Sequence, residues 1–295
     1  MTDRLTQLLQ KKRIVLGDGA MGTMLHRAGL TDGAPERWNA ERPDVVSSIH
    51  RAYVEAGSDF ISTNTFGGTR NRLALDGLEG RVAELNEAGA RLAREAAGDR
   101  LVAGSMGPTG ELMEPLGLLT PEGARASFAE QARALKAGGV DFVLIETMSA
   151  LEEVEAAVAG AAEAGLPAVV TMSFDTHFRT MMGVKPVQAL AAIAALGVKV
   201  IGANCGNGPA EIERILTEMT EAKPEGVMLM AKSNAGMPRW KDDRITYGGT
   251  PAVMAEYART MARLGVAVVG GCCGSTPEHI AAMREALESW SPSRP

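Results

Sequence analysis

Cys272 and Cys273 stand side by side in Gly270-Gly271-Cys272-Cys273-Gly274, directly after the apolar run 266–269. Cys205 follows a second apolar run, 198–203, in Asn204-Cys205-Gly206, and no other cysteine occurs in the 295 residues. A thiol just past a buried strand points toward a ligand-bearing face, and three thiolates meeting there would make a soft site that suits zinc. Such a set leaves the fourth tetrahedral position vacant, as catalytic rather than structural zinc requires, and that vacancy could hold another thiol. Two plainer readings stand beside this one: cysteines packed as small apolar side chains, and an adjacent pair joined as a vicinal disulfide or set in a turn. The spacing of zinc-finger pairs, two residues between cysteines, is absent.

Glu146 closes the apolar stretch 143–145, where an unpaired carboxylate is costly to bury. It either pairs with an interior Lys or Arg or binds a substrate ammonium or another mobile cation. Gly17-Asp18-Gly19-Ala20-Met21-Gly22 fits the dinucleotide fingerprint G-x-G-x-x-G literally. The next strand begins about forty residues on, too far for a compact βαβ unit of about thirty, and Asp18 would set a carboxylate beside a pyrophosphate. The segment reads instead as a tight turn whose backbone N–H groups hold a small carboxylate while Asp18 takes an ammonium, a pairing that fits an amino acid. Asn234, in Ser233-Asn234-Ala235-Gly236, either occupies a turn or reaches the metal from a strand end. His26, His50, His177 and His279 show no metal-ligand spacing and read as surface or packing residues. The 16 methionines read mostly as helix-face core.

Bringing such scattered groups together calls for strand ends that share one face. Short β-rich runs at 14–16, 60–63, 101–104, 142–145, 168–172, 198–202, 227–230 and 266–269 each precede an apolar 3.6-residue pattern. Thr276 and Pro277 open the last helix, with Ile280, Met283 and Leu287 on one face. Pro209 opens another, with Ile212, Ile215, Leu216 and Met219 inward, and Pro251 a third, with Met254, Tyr257, Met261 and Leu264. Near-continuous apolar strands alternating with amphipathic helices describe a parallel sheet covered on both faces. After the successive strands come Asp18, Asn64, Ser105, Glu146, Ser173, Asn204-Cys205, Ser233-Asn234 and Cys272-Cys273. That even spread predicts a single-domain (β/α)8 TIM barrel over 1–288 with a disordered tail at 289–295, because a doubly wound sheet concentrates its chemistry at one switch point.

Thirty basic against 36 acidic residues give a formal charge of −6, with no positive excess to neutralise a phosphate backbone, so nucleic acid is not an expected partner. The start, 1–13, has no apolar signal core, and the Ala-rich stretch 189–203 is broken by Gly197 and Lys199 well short of a membrane span. Three cysteines, an odd number, fit a reducing cytoplasm better than a secreted disulfide framework.

Asp18-Gly19-Ala20-Met21-Gly22-Thr23, Thr63-Asn64-Thr65-Phe66-Gly67-Gly68-Thr69, Gly104-Ser105-Met106-Gly107-Pro108-Thr109-Gly110, Ile145-Glu146-Thr147, Asn204-Cys205-Gly206, Asn234-Ala235-Gly236-Met237-Pro238 and Gly270-Gly271-Cys272-Cys273-Gly274-Ser275-Thr276-Pro277 resemble, in order, the homocysteine S-methyltransferase family. The family includes betaine-homocysteine methyltransferase and the homocysteine module of cobalamin-dependent methionine synthase. The resemblance implies one zinc ion held by Cys205, Cys272 and Cys273, with these cysteines and Glu146 carrying catalysis. Asp18, Gly19, Ala20 and Glu146 would hold the amino-acid end of homocysteine, and Asn234 would fill the fourth zinc position without substrate. The implied product is methionine. Trp38 aligns with a tryptophan of the betaine branch, whereas two tyrosines of that branch are replaced by Gly67 and Thr147. The implied donor is either methylcobalamin carried by a partner protein or a free onium compound such as betaine or S-methylmethionine. Two alternatives are a noncatalytic homocysteine- or zinc-binding module and a methyltransferase or demethylase of this fold acting on another thiol. Assembly into a homo-oligomer is left open.

Overall fold

The computed structural model describes residues 4–241 and 244–290. Helix α1 (Arg4–Lys11) precedes β1 (Val15–Leu16), α2 (Met21–Arg27), α3 (Trp38–Glu41) and α4 (Pro43–Glu55). Then come β2 (Phe60–Ser62), α5 (Arg70–Ala74), α6 (Val82–Ala97), β3 (Leu101–Met106), α7 (Pro121–Ala137), β4 (Phe142–Met148), α8 (Leu151–Glu163), β5 (Ala168–Met172) and α9 (Pro186–Ala195). The chain continues through β6 (Val200–Cys205), α10 (Pro209–Ala222), β7 (Met228–Ser233), a hairpin of β8 (Pro238–Lys241) and β9 (Arg244–Tyr247), α11 (Pro251–Arg263), β10 (Val268–Gly271) and α12 (Pro277–Glu288).

Eight parallel strands lie in the order β1-β10-β7-β6-β5-β4-β3-β2, while β8 and β9 pair only with each other. The curved sheet brings β1 back beside β2 as a (β/α)8 barrel, and aspartates latch that seam. Asp59 N–H donates to the Leu16 carbonyl (2.7 Å) and the Asp59 carboxylate accepts from Leu16 N–H (2.8 Å) at the lower end. At the upper end the Asp18 carboxylate accepts from Ser62 N–H (2.6 Å), where a strand would offer a carbonyl.

All eight expected strands are present, but most run further than their apolar stretches. β6 and β7, for example, continue to Cys205 and Ser233. Ser105, Glu146 and Asn204, expected to follow their strands, are inward-facing positions within them, which a search for apolar runs cannot include. Helix faces match closely: Ile212, Ile215, Leu216 and Met219 are buried on α10, and Met254, Tyr257 and Met261 on α11. On α12, Thr276 and His279 form a capping box, which ties down the helix start. The lower barrel interior is an apolar plug of Val15, Phe60, Leu101, Phe142, Leu144, Met230 and neighbours, closed from below by Leu5 of α1. A larger apolar layer fills the space between barrel and helices. Ser289 caps α12 and Arg13 lies over the Trp290 ring. The expected tail lies outside the described residues from 291 on.

Candidate metal and substrate site

Side chains alternate across a strand, so the residue two positions beyond a plug residue also points into the barrel. Phe60 is followed in this way by Ser62, Ala103 by Ser105, Leu144 by Glu146, Val169 by Thr171 and Met230 by Lys232. All five of these polar residues are buried. All but Thr171, with the loops above them, form a cavity of about 450 Å³, lined among others by Gly19, Ala20, Phe66, Ser105, Glu146, Lys232 and the three cysteines.

The cysteine sulfurs all lie within 4.8 Å of one another, and Cys205 Sγ is 2.8 Å from Cys272 Sγ. Two thiols from the loop after β10 thus meet the last residue of β6 across β7. Sulfurs on a tetrahedral zinc with bonds of about 2.3 Å would stand about 3.8 Å apart, so sulfurs this close can share such an ion once Cys205 and Cys272 separate by about 1 Å. Hydrogen bonds from Cys205 and Cys272 pull the Cys273 thiol down to about 3, while those with Cys272 and Cys273, then burial, hold Cys205 well above its usual value. Although Cys205 also bonds to it, Cys272 is pushed up to about 12 by Cys273 and by burial. The cluster therefore shares a first negative charge easily and resists a second, as expected of three thiols that a cation must neutralise.

Two non-glycine residues in the left-handed region, Thr147 (φ 63°) and Cys205 (φ 61°), flank this cluster. Such backbone persists only where its surroundings over-determine it, and at Thr147 the Asn204 amide does so. It accepts from Thr147 N–H (2.8 Å) and Thr171 Oγ1 (2.7 Å), and donates to Thr147 Oγ1 (2.7 Å). The same Nδ2 lies 3.8 Å from Cys272 Sγ. The β4–β5 register shifts between Ile145 and Met148, beside Glu146. Above, Cys272 N–H bonds to the Ser233 carbonyl (2.7 Å) and Ala235 N–H to the Cys273 carbonyl (2.9 Å). Gly274 (φ 80°) must lack a side chain, because a Cβ there would sit 2.2 Å from Tyr247 Cγ. Burial and the nearby Cys273 raise the Tyr247 hydroxyl above its usual pKa.

At the other end, Ser105 Oγ donates to Glu146 Oε1 (2.6 Å), and burial pushes this carboxyl above its usual range against the pull of Lys232. Lys232 Nζ stands 3.1 Å from Asp18 Oδ1 and 3.4 Å from Ser62 Oγ. Burial works against its charge, but Asp18 and Glu146 overcome it and hold the pKa above the usual lysine value. Asp18 does take an ammonium, then, but it is the protein's own.

Gly19 and Ala20 line the cavity, and the Tyr53 hydroxyl beneath them reaches the Ala20 and Ser275 carbonyls. Asn234 donates to the Gly206 carbonyl (2.6 Å), leaving its buried Oδ1 without a partner among the described residues. Trp38 is not among the cavity-lining residues. It is buried in the core on α3, with Arg42 over its ring, because its large apolar surface is better covered there. The loop 63–69 is held from behind by buried amides: Asn39 bonds the Asn64 carbonyl, Gln131 the Thr65 carbonyl and Asn86 the Gly68 carbonyl. Sequence reasoning missed Lys232 and Tyr247. The first was legible as the period-two successor of Met230, and the second carried no signal, since the hairpin that presents it was not expected.

Residues 15–287 match the homocysteine S-methyltransferase family. The chain belongs to that family. It is 38% identical to a methionine synthase of Mycobacterium leprae (strain TN) and 37% identical to one of Mycobacterium tuberculosis (strain ATCC 25618 / H37Rv), each over 95% of this chain. It spans only about a quarter of those relatives, 24% and 25% of their lengths. Among solved structures, the oxidized form of the homocysteine methyltransferase MmuM from Escherichia coli superposes with a TM-score of 0.79 at 26% identity. That match covers 96% of this chain and 99% of that one. The metallated form of MmuM gives 0.77 at 25% identity, over 95% and 99%. Among the described residues no helix is long and apolar enough to cross a membrane.

Proposed function

We propose that this family member transfers a methyl group to the sulfur of homocysteine, giving methionine, at a zinc site formed by Cys205, Cys272 and Cys273. The observation that carries the reading is that three clustered sulfurs and a buried carboxylate, Glu146, line one cavity. Zinc bound there supplies deprotonation of the substrate thiol, which is mostly un-ionised in water at neutral pH. Glu146 holds the α-ammonium, Gly19 and Ala20 border the α-carboxylate, and Asn204 keeps Cys205 and Cys272 in place. Asn234 Oδ1, buried and unpaired, is the candidate fourth ligand in the absence of substrate. The reacting sulfur takes the methyl with its own electron pair and the donor leaves with the electrons of the broken bond, so no general base is needed at that step.

For the donor, a quaternary onium favours a cage of several aromatic faces, and Phe66 is the one aromatic residue among those lining the cavity. Exposed Leu116, Leu118, Met181 and Met237 lie in loops following barrel strands, and exposed Trp240 in the hairpin after β7, at the cavity's end of the barrel. Both features favour methylcobalamin on a partner protein over betaine or S-methylmethionine. The three thiols suit a reducing cytoplasm. Zinc-loaded protein given homocysteine with methylcobalamin, betaine or S-methylmethionine in parallel tests this: methionine should form with the first. Failure with every donor would sink the reading.

A further inference from the structure

Lys232 lies two residues beyond Met230 of the plug, is 3% exposed and lines the cavity beside Glu146 and Cys272. Its stem passes over Gly270 on the neighbouring strand, where an added Cβ would come 3.1 Å from Lys232 Cγ. Room for a buried lysine is thus built into the strand that leads to the cysteine pair.

The Asp18 carboxylate is committed. Its Oδ2 accepts from Ser62 N–H (2.6 Å), and its Oδ1 accepts from Ser62 Oγ (3.1 Å) and Lys232 (3.1 Å). A substrate ammonium approaching Asp18 would meet one already seated there. Glu146 differs: Ser105 bonds one oxygen, and among the described residues the other takes no hydrogen bond. An ammonium has three N–H donors, and Asp18 and Ser62 account for two of those on Lys232. Two carboxylates and one ammonium leave the floor one positive charge short. An incoming α-ammonium supplies that charge, and the α-carboxylate that comes with it can accept from the third N–H of Lys232.

We propose that Lys232 determines specificity at the amino-acid end of the substrate: held by Asp18 and Ser62, it receives the α-carboxylate and leaves Glu146 as the one carboxylate for the α-ammonium. The assignment rests on homocysteine being the acceptor thiol. It divides recognition between two residues where the family resemblance assigned the amino-acid end to Asp18, Glu146 and the turn.

The test is calorimetric binding to zinc-loaded protein, independent of any methyl donor, with homocysteine, 3-mercaptopropylamine (no carboxylate) and 4-mercaptobutyrate (no ammonium). Losing a charge-assisted contact in Lys232→Met should weaken homocysteine and 4-mercaptobutyrate about 30-fold and leave 3-mercaptopropylamine within about threefold. Glu146→Gln should give the mirror image, weakening homocysteine and 3-mercaptopropylamine only. Equal weakening of all three thiols by Lys232→Met would overturn the proposal, since a merely structural lysine gives that pattern. If Lys232→Met does not fold, Glu146→Gln still decides: 3-mercaptopropylamine affinity that survives it would place the ammonium on Asp18 and end the proposal. Both outcomes leave homocysteine as the acceptor. A zinc-loaded wild type that binds none of the three would remove the acceptor assignment and this proposal with it.

Discussion

The two halves of the barrel interior are built from the same strands, two residues apart, and they do opposite work. The lower half, with Phe60, Phe142, Leu144, Val169 and Met230, is apolar, and its Phe60 and Phe142 rings meet edge to face at 5.7 Å. The upper half, with Ser62, Glu146, Thr171 and Lys232, is also buried yet polar, and nearly every group in it has a named partner. Burial alone does not separate plug from site. What separates them is whether a buried group stabilises the barrel by leaving water or holds a geometry by bonding to its neighbours. Asp18 has two tasks in the upper half, since its carboxylate closes the seam to β2 and also anchors Lys232.

The sharpest way to break this comparison is to remove a sulfur. Cys272→Ala should abolish both zinc retention, measured by metal analysis of the purified protein, and methionine formation, while the far-ultraviolet circular dichroism stays that of the wild type. Activity retained without metal would dissolve the upper half as a functional unit. In the plug, Phe142→Ala should cost about 3–5 kcal/mol in urea denaturation, with kcat little changed in the protein that remains folded.

The helical shell supplies a third term, because His50 on α4 is fully buried with neither ring nitrogen bonded. Burial, then the nearby Arg51, lower its pKa from 6.5 to about 3. The unfolded chain takes up this proton near pH 6.5 and the folded chain does not until near pH 3. Stability from this group is therefore complete above pH 6.5 and lost as pH falls toward 3, by on the order of 4 kcal/mol. His50→Leu should flatten stability against pH over that window, read from denaturant midpoints. The smallest effect expected is that of Ser105→Ala, which removes the hydrogen bond to Glu146 and should weaken homocysteine binding about tenfold with unchanged zinc content.

Much of this arrangement could be read before any coordinates. The eight strands, the helix starts at Pro209, Pro251 and Pro277 and the three sulfurs follow from local patterns, because period and capping are properties of neighbouring residues. Strand ends were read short because the last inward positions are polar. Lys232 was passed over for the same reason, in a stretch where Asn234 drew attention by its motif. Trp38 was assigned by alignment to a donor cage that its burial on α3 does not serve.

The sequence by itself determined the barrel and the placement of three cysteines at strand ends, since apolar periodicity and position along a strand are local properties. Only the tertiary structure decided which carboxylate is free. Asp18 and Lys232 are 214 residues apart, and no local pattern reveals that closing the barrel sets them 3.1 Å from each other. Ion pairing depends on distance in space, and in a closed barrel that distance is fixed by strand register and by the seam where the first and second strands meet.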